Sequence, residues 1–145
     1  MWKFLKVFFG LGTMTDAILL KNETSRGIEE VASRVSDLCA KFGFSLMTSY
    51  SYHEIVASKG FPIERQVFVY KICQAKVASQ MLVAHPDFSV FMPCSLSVYE
   101  ESGKTVVATM DMGLLLSAIR KDPDLYSSAS NLFESLKKLM AELAQ

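Results

Sequence analysis

Apolar positions along the chain change period several times, and each change marks an expected element. Ala17 to Leu20 form a short apolar run, read as a strand over residues 17–21, and the polar cluster at 22–26 reads as a turn leading into a helix. Ile28, Val31, Ala32, Val35, Leu38, Cys39 and Phe42 then recur at three- and four-residue spacing. That spacing puts them on one face of a helix, with Glu29 and Glu30 in the first turn and Gly43 at the C′ position. Residues 44–53 are aromatic, small polar or β-branched, which suits a strand, and Gly60-Phe61-Pro62 marks a loop.

Over residues 65–73, Val67, Val69, Lys71 and Cys73 alternate with Phe68, Tyr70 and Ile72. Both faces are largely apolar, which predicts a central strand. Residues 75–84 read as a short helix stopped ahead of Pro86. Strands are expected over 88–99 and 104–111, joined as a hairpin by Glu100-Glu101-Ser102-Gly103. A helical turn or two at 114–121 precedes Asp122-Pro123, an N-cap and N1 proline for a last helix. The stripe of that helix is Leu125, Ala129, Leu132, Phe133, Leu136, Met140 and Leu143.

The order β-α-β-β-(α)-β-β-α predicts an α+β fold: a single antiparallel sheet with helices packed on one face. A groove is expected between helices and sheet. Residues 16–145 form one domain, behind an apolar N-terminal extension at 1–15. The extension is basic at Lys3 and Lys6 and apolar through Phe8 and Phe9, as an export signal begins. Its apolar run is shorter than the roughly 20 residues of a membrane span and has no small-x-small cleavage site, so burial or a subunit contact is expected instead. Met14 offers an alternative start.

With 145 residues, one core suffices without disulfides or metals. Fifteen basic and fifteen acidic residues cancel, so the electrostatic footprint of a nucleic-acid binder is missing. Three cysteines are too few for a disulfide scaffold and fit a reducing, cytoplasmic setting.

Candidate chemistry centres on Met92-Pro93-Cys94 and on Cys73. A proline is tolerated in a sheet at an edge, a start or a bulge, so Cys94 is expected where regular pairing is interrupted. Cys73 and Cys94 lie on strands able to neighbour each other, and two thiols there can form a disulfide, carry sulfur or supply half a metal site. Lys71, Lys76 and a helix N-terminus near Cys73 would favour its thiolate; burial as small hydrophobes is the plainer reading, as it is for Cys39. No Cys-x-x-Cys, His pair, haem-attachment motif, phosphate loop or nucleophile elbow occurs, so no catalytic residue, cofactor or metal site is assigned. His53 and His85 read as hydrogen-bonded boundary residues, Glu100-Glu101 as solvated turn carboxylates, and Asp111 as a cap. Met47, Met81, Met92, Met110 and Met112 read as core filler, although thioethers also adapt to varied ligands.

Four features together resemble the domain-of-unknown-function family 302. They are Lys41-Phe42-Gly43-Phe44 closing a helix ahead of a strand; Cys73 at the entry to a helix containing Ala78; His85-Pro86 leading to Phe91-Met92-Pro93-Cys94; and Val98-Tyr99-Glu100-Glu101-Ser102-Gly103-Lys104 with Met110-Asp111. The resemblance covers about residues 17–143, and its most specific part is the Pro-Cys strand with its Val-Tyr-Glu continuation. It implies a TBP-like fold and a homodimer, and it implies no activity. The chain departs from the pattern at Gln74-Ala75, where Asn-Pro is common, and at Lys71, where glycine is common; residues 1–15 have no counterpart in it.

The expected function is therefore non-catalytic: a homodimer binding a small ligand or protein partner in a groove near Cys73, Met92, Pro93 and Cys94. A thiol-redox or sulfur-transfer accessory using Cys73 and Cys94 is one alternative. An assembly module joined by its leader and sheet edge is the other.

Overall fold

The computed structural model describes residues 13–145 and, ahead of them, Leu5, Phe8 and Gly10. Most of the expected extension at 1–15 lies outside the described residues. Thr13 caps helix α1 (Met14–Ile18) by a reciprocal box: its hydroxyl accepts from Asp16 N at 3.2 Å, and the Asp16 carboxylate accepts from Thr13 N at 3.0 Å. The Thr13 hydroxyl also donates to the Asp16 carboxylate at 2.7 Å, and this bond first, then that from Thr13 N, holds the Asp16 carboxyl below its ordinary value.

The chain then enters β1 (Leu19–Thr24), which begins later than expected and runs on through residues expected to turn. Pairing explains the extension: from Leu19↔Met110 to Thr24↔Thr105, the ladder to the strand at 104–110 holds Asn22 and Glu23 extended against their local preference. The turn comes only afterwards, where Arg26 N donates to Thr24 Oγ1 at 3.2 Å.

The expected amphipathic helix is α2 (Ile28–Lys41), and Val31, Val35 and Cys39 on its stripe are fully buried. It ends in a Schellman motif: Phe44 N donates to Cys39 O at 2.8 Å, Gly43 N donates to Ala40 O at 3.1 Å, and Gly43 takes φ +78°. Next come β2 (Ser45–Ser51) and a helix the sequence did not announce, α3 (Tyr52–Ser58). None of the α3 residues is fully buried, and Tyr52, Ile55 and Val56, though at helical spacing, are too few to set the helix apart from the strand-like run before it. His53 is tied at the boundary as expected, with Nδ1 3.1 Å from both N and O of Val67.

β3 (Val67–Cys73) passes through Gln74 into α4 (Ala75–Ala84), and Pro86 opens a 3-10 helix (Pro86–Phe91) where a strand was expected. Phe88, Val90 and Phe91 read as strand residues, yet the ladder starts only with β4 (Cys94–Glu101). Pro93 carries no N–H to donate, and it stands immediately before the strand. β4 turns into β5 (Lys104–Met110) over Ser102 and Gly103, at φ 52° and 76°, the two positive values of a type I′ hairpin. Asp111 Oδ1 accepts from Gly113 N at 3.0 Å at the start of α5 (Gly113–Ala118). Asp122 Oδ1 accepts from Leu125 N at 3.1 Å, capping α6 (Pro123–Leu143) as expected.

The five strands form one antiparallel sheet in the order β1-β5-β4-β3-β2. Register puts Ile72, Tyr70, Leu96, Val98 and Val107 on one face, where they pack against Val31, Val35 and Cys39 of α2 and Leu132, Leu136, Leu139 and Met140 of α6. Each such side chain contributes roughly 1.5–3 kcal/mol by leaving water. A smaller cluster joins Met81 of α4, Ile119 after α5, and Leu125 and Ala129 of α6. Between the two clusters lies the end of the sheet that carries Cys73 and Cys94. No helix among the described residues is long and apolar enough to cross a membrane.

Candidate functional site

Where β3 ends and β4 begins, the sheet stops short of the helices that follow it, and a cavity of about 60 Å³ is left between them. The strands contribute Ile72, Cys73 and Cys94. Met92 and Pro93 enter from the link out of the 3-10 helix, and the Met92-Pro93 peptide is cis. The four residues singled out in the sequence, Cys73, Met92, Pro93 and Cys94, thus wall one space. In register Cys94 faces Ile72 and shares its helix-covered face, while Cys73, the next residue along β3, is set to the opposite face by strand alternation.

The other walls were not marked in the sequence as parts of a site. Val77, Ala78 and Met81 line the cavity from α4, Phe88 and Phe91 from the 3-10 helix, and Leu115, Leu116 and Ile119 from α5 and the turn after it. Ala129 and Leu132 of α6 close the floor, and Met112 stands at the turn from β5 to α5. Helical spacing at Val77, Ala78 and Met81 marked an apolar face, but spacing does not say which void that face borders.

The lining is almost wholly hydrocarbon and sulfur. Gln74 is the one hydrogen-bonding side chain in it, and its amide nitrogen donates to Phe42 O at 3.3 Å, which ties the start of α4 to the end of α2. The walls contain no carboxylate, imidazole or hydroxyl that could serve as a general base. Among the described residues, no group of three or more His, Cys, Asp or Glu converges.

Met92, Pro93, Cys94, Phe91 and Met112 also form the wall of an outer groove of about 340 Å³, which Lys71, Ser95 and Met110 complete. Lys71 Nζ donates to Ser95 Oγ at 2.6 Å across the β3–β4 ladder. Burial pushes the Cys94 thiol up, nearby Cys73 pushes it further, and Lys71 opposes both. Cys94 is therefore held as a thiol at neutral pH, the opposite of an activated thiolate. Cys39 lies apart, buried under α2, and burial raises its pKa too. His85 is drawn against the Phe88 ring, with centroids 5.6 Å apart. Glu100 is a hairpin support rather than half of a carboxylate pair: its Oε2 accepts from Gln66 N at 2.9 Å.

The chain matches the family model "Domain of unknown function DUF302" over residues 20–143. It belongs to the DUF302 family. The match begins within β1 and ends with α6, so it takes in all of the sheet but Leu19 and every wall of the cavity. No curated protein matches the sequence. Among solved structures, the crystal structure of an uncharacterised conserved DUF302 protein from Bacillus stearothermophilus is similar, with a TM-score of 0.76. That similarity spans 88% of this chain and 98% of that one at 22% identity, a likeness of fold.

Proposed function

We propose that this DUF302 protein is a non-catalytic binding protein whose site is the cavity walled by Cys73, Met92, Pro93 and Cys94, and whose occupant is small and apolar or soft. The observation that carries the reading is the lining: hydrocarbon and sulfur on every side, with no acid or base to drive a reaction. Apolar cavities of this kind stay dry and take up apolar guests. The raised Cys94 pKa favours binding over thiol exchange, which needs a thiolate.

Xenon is a suitable probe because it needs only an apolar void. Xenon NMR of the full chain is expected to show saturable uptake, and Ala78→Leu, which adds carbon at the wall, is expected to abolish it. Absence of uptake by the native chain would remove the cavity as a site. Native mass spectrometry of the same sample reads the subunit number. The homodimer belongs to this reading, and Val83 and Val90, 88% and 82% exposed, offer apolar surface for it.

A further inference from the structure

We propose that the guest is a single-chain amphiphile with an anionic head, a medium-chain alkyl carboxylate, whose tail enters the cavity while its head stays in the outer groove on the Lys71 ammonium. The inference rests on the binding reading above and names the chemical class of the ligand. Two spaces of opposite character share one wall: Phe91, Met92, Pro93, Cys94 and Met112 border both the apolar cavity of about 60 Å³ and the outer groove of about 340 Å³. Beyond that wall the groove turns polar, at Lys71, Ser95 and Thr109. Lys71 and Ser95 pair in register on the face opposite α2 and α6, one residue along from Ile72 and Cys94 on the covered face. The way from head to tail therefore runs round the end of the sheet and not through it. β4 begins at Cys94 and β5 stops at Met110, and Met92 and Met112 stand just past these strand ends. An unbranched thioether side chain adapts to what it covers, so parting of Met92 and Met112 joins the groove to the cavity.

Charge selects the head. Among the described residues the groove is lined by one cation and no carboxylate. Asp111, between Met110 and Met112, is engaged by Gly113 N at 3.0 Å. Lys71 is half-buried, and the ion pairs of the described residues use Lys21, Arg26, Lys41, Lys104 and Lys137 instead. Its ammonium has three donors, of which Ser95 Oγ takes one at 2.6 Å, leaving two for an anion. One ammonium beside one hydroxyl matches a single negative charge, as a carboxylate carries. The cavity sets the tail: at about 10–15 Å³ for each water-sized group, its 60 Å³ holds about four to six carbons of one chain. Its hydrocarbon and sulfur lining offers no partner to a second polar group, which confines the head to the groove.

The test is calorimetric titration of the full chain with hexanoate, octanoate and decanoate below their micelle concentrations, and with decyltrimethylammonium as the cationic counterpart. The native chain is expected to bind the carboxylates saturably, about fourfold tighter for each added methylene. Decyltrimethylammonium is expected to bind about tenfold more weakly than decanoate, or less. Lys71→Met is expected to weaken decanoate by about tenfold or more and to remove the preference between head charges, while xenon uptake is retained. Lys76→Met, which removes a cation of α4 that lines neither space, is expected to bind as the native chain does. Ala78 lines the cavity and not the groove, so Ala78→Leu is expected to flatten the chain-length series, with decanoate binding no tighter than hexanoate. If Lys71→Met fails to fold, the comparison of decanoate with decyltrimethylammonium on the native chain decides. Lack of saturable binding, equal affinity for the two head charges, native affinity in Lys71→Met or an unaltered chain-length series in Ala78→Leu overturns the proposal. Xenon uptake without decanoate binding would leave the cavity as a site and remove only the amphiphile; loss of both removes the binding reading as well.

Discussion

Four side chains make the protein sensitive to base. Burial raises the thiols of Cys39 and Cys94 and the phenols of Tyr70 and Tyr99, with Tyr70 pushed up to about 12. In the unfolded chain the thiols ionise near 9.0 and the phenols near 10.0, so between those values and the folded pKa values the native state binds more protons. The stability contributed by these groups is complete below the unfolded values and is lost as pH rises through the folded ones. Urea unfolding is expected to show a lower midpoint at about pH 10.5 than at about pH 8. Iodoacetamide is expected to label Cys94 slowly at neutral pH and faster as pH climbs past the ordinary thiol range. Rapid labelling of Cys94 at neutral pH would contradict its raised pKa.

Among the elements, the ends are fixed as firmly as the middles. Gly43 holds φ +78°, and a Cβ built there would meet Gln74 Nε2 at an ordinary 3.6 Å, so Gly43→Ala tests backbone strain rather than collision. It is expected to lower stability by about 1–2 kcal/mol in denaturant unfolding, the penalty of a left-handed non-glycine residue. α2 and α6 were legible in the sequence because Val31, Val35, Leu132 and Leu136 must face the sheet and impose their spacing on the chain. The Asp122-Pro123 cap and the Ser102-Gly103 turn were legible because local backbone chemistry sets them. α3 was not, since it is seven residues long and none of them is buried, so the short repeat of Tyr52, Ile55 and Val56 did not stand out. The 3-10 helix was hidden by β-favouring Phe88, Val90 and Phe91, which Pro86 and Pro93 override from either side. Of the cavity, the cysteines and Pro93 stood out as interruptions of a pattern. The walls from α4 and α5 did not, because their facing one void is a product of tertiary packing.

At the scale of the whole molecule, the sheet joins near and distant segments. The β4–β5 ladder closes over two residues at Glu101↔Lys104, whereas the Lys104–Glu23 ion pair at 2.9 Å, at the β1–β5 border, joins residues 81 apart in sequence. Loop-closure entropy grows with that separation, so the hairpin assembles cheaply and β1 is the strand whose pairing needs most of the chain already in place. Among the described residues β1 is also an edge, with β5 on one side only. Its amides are therefore expected to open by sub-global unfolding and exchange with deuterium before those of β4, and equal protection of the two strands would show that they open together. Position in the strand order thus becomes a sequence in time: the hairpin bearing Cys94 belongs to the early, persistent part of the fold, and β1 is the strand that comes and goes.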